Sequence, residues 1–109
     1  MVSPRKLTLF VFVGLVGLQT AAFSAGDGFY SLMDEAMQRM HAGMHISPSG
    51  DVDRDFAGMM IPHHQGAIDM AVLELRFGRD QRLRRLAQEI IVTQGQEIRL
   101  MQSILKGKN

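Results

Sequence analysis

The chain has 109 residues, with 12 Lys and Arg against 11 Asp and Glu, four His, nine Met and no Cys. A formal charge of +1 gives no reason to expect nucleic-acid binding, and the missing thiols exclude disulfide reinforcement and cysteine chemistry. A chain this small must pack helices closely, oligomerise or bind something, and methionine is its only soft sulfur ligand.

The first 25 residues read as a leader. Arg5 and Lys6 form a basic start, an apolar run follows from Leu7 to Leu18, and small residues surround Ala22 and Ser24. That is the layout of a cleaved secretory signal peptide. The run is shorter than the ~20 residues a bilayer-spanning helix needs, so no stable membrane span is expected after cleavage. Residues 26–109 are then one exported domain, periplasmic or extracellular. Its charge is skewed: residues 26–75 hold eight acids and two bases, residues 76–109 three acids and eight bases.

Three helices are expected, with no alternating strand pattern. The first spans about 29–45, and its Met33, Met37, Met40 and Met44 are spaced 4, 3, 4, which stacks them in one stripe. Residues 47–50 form a loop, and Asp51 or Asp53 caps the second helix. That helix runs to about Phe77, with Gly78 as its stop. Two neighbouring apolar rows, one through Phe56, Met60, His63, Ala67, Met70 and Glu74, the other through Ile61, His64, Ile68, Val72 and Leu75, make it apolar over more than half its circumference. Such a helix is central, or part of a subunit interface. Pro62 is expected to kink it just before the histidines, and Gly58 and Gly66 to let another backbone approach closely. The third helix spans about 80–106, where Gln94 and Glu97 interrupt a stripe of Leu83, Ala87, Ile90, Met101 and Ile104.

The chemistry concentrates in two Met/His groups. Met59, Met60, His63 and His64 lie in the second helix, and His41 and His45 stand beside the methionine stripe of the first. Imidazole with thioether sulfur is a ligand set for copper, Cu(I) above all. The same methionines also serve as adaptable core filling. A histidine inside a buried stripe needs a partner, and antiparallel second and third helices would bring Gln94 or Glu97 to His63. Adjacent histidines point ~100° apart on a regular helix, so His63 and His64 share one ion only if the helix re-aims one of them. Glu74 is a further pairing group on the inner row, and Arg76 complements the C-terminal dipole of its helix.

With Asp53 upstream and the residues 90–101 downstream, the string Met60-Ile-Pro-His-His-Gln-Gly-Ala-Ile-Asp-Met-Ala71 resembles the domain of unknown function 305 family. The resemblance covers nearly the whole chain after the leader. It implies an all-α, ferritin-like helical bundle, an exported location and a functional His-His pair at His63 and His64, and some relatives look like copper-binding proteins. Many relatives hold two helix pairs where this chain holds one, so dimerisation through the second helix would complete a larger bundle. The expected function is copper binding for buffering, tolerance or delivery, and not catalysis. The alternatives are a metal-free helical interaction module and a ferritin-like metal oxidoreductase, although no histidine has the Glu three residues earlier that di-iron sites use.

Overall fold

A computed structural model describes Val2 and residues 25–108. The expected leader, residues 1–25, lies outside them apart from Val2 and Ala25. Three helices follow in order: α1 (Ala25–Met44), α2 (Val52–Phe77) and α3 (Gln81–Gly107). The described residues contain no strand, and none of their helices is long and apolar enough to cross a membrane.

Local chemistry sets the helix ends. Asp51 caps α2, its Oδ1 accepting from the amides of Asp53 and Arg54 at 3.0 and 3.2 Å. Asp80 caps α3 through the amides of Arg82 and Leu83. Arg82 also pairs with Asp80, and that hydrogen bond first, then the amide of Arg82, lowers the Asp80 carboxyl to about 2. Gly50, at φ 86°, is the one described residue in the left-handed region, where glycine carries no Cβ penalty. Gly78 ends α2 differently from the expected left-handed stop: its φ is −73°, and its amide closes on the Glu74 carbonyl at 2.7 Å. The guanidinium of Arg84, not Arg76, reaches the last carbonyls of α2, donating to Leu75 and to Gly78. Arg76 instead lies over the Phe77 ring.

As expected, α2 is central: α1 and α3 each pack on it and not on each other. The α1 seam follows Pro62, Gly66, Asp69, Leu73 and Phe77. Met40 fills the space at Gly66, Gly43 sits against the Pro62 ring, and Phe29 meets Phe77 edge to face. Helix α2 is continuous across Pro62, so the proline serves as a packing surface for α1. The close neighbour at Gly66 is a side chain, and Gly58 has only ordinary contact with Ile46. Asp69 is half-buried at this seam, with Gln65 donating to it and Arg39 beside it.

The α3 seam follows His64, Ala67, Ala71 and Glu74 against Glu97, Ile90, Ala87 and Leu83. At its far end Lys108 reaches Asp51 and Asp53. At ~100° per residue the two seams lie on nearly opposite sides of α2, so the helices form one flat layer. Its buried apolar residues are Ala36, Ala57, Ala71, Leu73 and Ala87.

The two sides of this layer differ. Between the seams, helical spacing puts Val52, Phe56, Met59, His63 and Met70 on one side and Gln65, Ile68, Val72 and Arg76 on the other. Leu83, Leu86 and Ile90 join Met70 around one cleft, and Tyr30 joins Phe77 around another. Met33, Met37 and Met44 share the Tyr30 side of α1 by their spacing. One side is therefore apolar and methionine-rich. The opposite side carries Arg39 beside Val72 and, by spacing along α3, Gln88, Arg99 and Lys106.

Candidate metal centre

The histidine of α2 that turns into the seam is His64, not His63. Its Nε2 lies 2.6 Å from Glu97 Oε2, joining the middle of α2 to the middle of α3. The His64 side chain is 17% exposed and that of Glu97 49%. This corrects the expected pairing of His63 with Glu97 or Gln94, and the cause is rotation. Helix α3 docks along the row that contains Ala57, Ala67 and Ala71, where small side chains allow close approach, and His64 belongs to that side.

His64 Nδ1 is buried and has no hydrogen-bond partner. With the proton on Nε2 shared toward Glu97, Nδ1 presents a lone pair. A carboxylate holding one nitrogen of a metal-ligating imidazole sets its tautomer and ring orientation. Gln94 Oε1 is likewise buried without a partner, and so is Glu74 Oε1. Gln94 lies less than one turn before Glu97 on the same helix. Two orphaned acceptors at one level of a seam favour a cation or a donor between them.

His63 is exposed on the apolar side of the layer, and its ring centre is 5.9 Å from that of His64, with the planes inclined at 59°. Two metal–nitrogen bonds of ~2 Å plus the ring radii place two imidazoles on one ion roughly 5–6 Å apart between centres. The ring separation falls in that range, while the two side chains leave α2 on different sides, His63 toward the open apolar side and His64 into the α3 seam. Met59 and Met60, one turn earlier, are both half-buried. No group of three or more His or carboxylate side chains among the described residues is arranged to hold a metal. The donors here are imidazole, amide and thioether, which suit a soft ion of low coordination number better than a hard divalent one.

The α1 group is more dispersed. Met40 is held against Gly66, Met33 and Met44 are half-buried, and Met37 is exposed. His41 is exposed in the last turn, while His45 lies just past the helix end, also exposed. Sequence reasoning missed the surroundings of Glu74. This residue borders a cleft of about 350 Å³ with Phe29, Tyr30 and Phe77, and one of about 270 Å³ with Met70, Leu83 and Leu86. Its inner-row position was the available signal.

A stretch of 53 residues, 49% of the chain, is 42% identical to an uncharacterized protein of Acanthamoeba polyphaga mimivirus. The aligned part is 35% of that relative's length, so the chain spans about a third of it. A family model matches residues 20–105, which takes in all three helices up to the last turn of α3, both seams and the His64–Glu97 pair. The chain belongs to the family described as domain of unknown function, DUF305.

Proposed function

We propose that this chain is an exported copper-binding protein that holds Cu(I) for buffering, tolerance or delivery, and that it works by binding and not by catalysis. The observation that carries this reading is His64, clamped by Glu97 at Nε2 and left with a buried, unpartnered Nδ1. His64 Nδ1 is the anchoring ligand, His63 supplies a second imidazole, and Met59 and Met60 supply thioethers. Gln94 and Glu97 orient the site. Met37, Met40 and Met44, with His41 and His45, offer weaker, exchangeable positions along α1. The export expectation rests on residues 1–25. A second copy completes the bundle, since one flat layer of helices is half of a two-layer, ferritin-like arrangement.

The exposed apolar side of the layer favours a second reading, a metal-free interaction module. Anaerobic titration with Cu(I) against a chromophoric competitor separates the two. Tight binding that His64→Ala abolishes and His63→Ala weakens supports the copper site. Failure of the unmodified chain to compete would leave only the interaction module.

A further inference from the structure

The apolar side of the layer is open. Val52 and Phe56, at the start of the middle helix, are 82% and 58% exposed, and Leu86, Leu100 and Ile104 on α3 are about half exposed. Leu73 is the largest buried apolar side chain. A patch this wide over so thin a core calls for a second layer. We propose that a second copy of the chain covers it, stacked face to face about a two-fold axis parallel to α2, so that His63 meets His63 of the partner subunit at the axis.

Charge decides between the two stackings open to a flat layer. Toward the apolar side and its outer edges, helical spacing leaves Asp27 and Asp34 on α1, and Arg82 and Arg85 against Glu89 on α3. An axis lying across the helices would set acidic α1 on acidic α1 and basic α3 on basic α3. An axis along α2 sets α1 of each copy on α3 of the other, opposite charges together. The registers agree with this second choice. Asp34 is level with the Ala71 and Ala87 stretch of the α2–α3 seam, which places it roughly half a turn along the axis from Arg85 of the partner subunit.

The area is sufficient. A layer of three helices, the longer two of 26 and 27 residues, is about 40 Å long and roughly 25 Å wide. That offers roughly 900 Å² per copy once the shorter α1 is allowed for, against the ~800 Å² per partner of a stable interface. In this stacking α2 lies along α2 of the partner subunit level with level, and Phe56, His63 and Met70 each face their own copy. The dimer follows from the apolar side and the charges alone. Only the added imidazole at the axis rests on the copper reading.

Sedimentation equilibrium of the purified, metal-free chain at tens of micromolar tests this, alongside single-cysteine variants exposed to oxidised glutathione. A dimer is expected. Phe56→Glu should weaken it by roughly 30-fold or more, and Gln65→Glu, on the opposite side, should leave it intact. Phe56→Cys, His63→Cys and Met70→Cys should each give a disulfide-linked dimer, and Gln65→Cys none. Cross-linking at only one of the three would establish the crosswise axis and overturn the proposal. A monomer, with the apolar side covered by residues 3–24 or by another partner, would overturn it too. The copper reading fails independently: a dimer that does not bind Cu(I) sinks that reading alone, and a copper-binding monomer sinks the dimer alone.

Discussion

Replacing Gly66 by alanine should destabilise the protein, although alanine is the better helix former. A Cβ at Gly66 would lie 2.6 to 2.7 Å from Met40 Sδ, Cβ and Cγ, where ordinary contact begins at 3.4 Å. The thioether end can swing away, but Met40 Cβ cannot, so α1 must withdraw by about 0.7 Å. A gap of that size forfeits roughly a quarter to a half of each dispersion contact along the seam. Overpacking of this kind costs about 1–3 kcal/mol, against a gain of about 1 kcal/mol from removing a mid-helix glycine. The net loss is then roughly 0–2 kcal/mol, the upper part applying because Met40 Cβ cannot move aside. Gly58, in the same helix, provides the control: a Cβ there would meet only Ile46, at 3.8 and 4.0 Å. Gly58→Ala should therefore stabilise by about 0.5–1 kcal/mol. Thermal unfolding resolves both, at about 4–8 °C per kcal/mol for a domain of this size. Equal stabilisation by the two alanines would refute the close contact at Gly66 and, with it, the α1 register.

Glu97→Gln keeps the shape but removes the charge behind His64, so Cu(I) affinity should fall by about 10–100-fold in the same competition titration, with helix content by circular dichroism unchanged. Arg84→Met leaves the carbonyls of Leu75 and Gly78 without their charged donor, a loss of about 1.5–3 kcal/mol measurable by urea unfolding. The Asp80 carboxyl, lowered to about 2 in the folded chain from 3.8, contributes stability that is fully present above pH ~4 and lost as pH falls toward 2. Acid titration of Asp80→Asn should show a shallower loss across that window, and an unchanged profile would count against the cap.

Much of the fold is legible because it is local. Asp51 and Asp80 announce their helices by side chains that reach amides two and three residues on, whereas the 4, 3, 4 methionine spacing follows the open apolar side of α1, with only Met40 turned onto α2. Centrality of α2 follows from its apolar circumference. The azimuth of α2 is not local. Two adjacent rows, one through His63 and one through His64, are almost equally apolar, and the α3 seam follows neither: it takes His64 from one and Ala67 and Glu74 from the other. What decides is where α3 finds small side chains to lie against, a property of both helices together. Arg84 reads in the sequence as one of a solvated arginine cluster around a helix end, and its role is hidden for the same reason: it reaches carbonyls six and nine residues earlier in the chain, across the α2–α3 turn. Met40 at Gly66 shows the converse case, where a glycine signalled a close approach and the neighbour's identity came only from the packed structure.

Because α1 and α3 touch α2 and never each other, the tertiary contacts form a chain of neighbours and not a closed ring. Each helix meets the next one along the sequence, so little loop entropy is lost before contacts form, and rapid assembly follows. The same linear connectivity makes α1 separable. In a single copy, before a partner covers the apolar side, it can open as a cooperative unit of its own while the α2–α3 hairpin stays closed around His64 and Glu97. Amide exchange should then sort by helix, with the amides of α1 releasing their protons ahead of those at the centre of the hairpin.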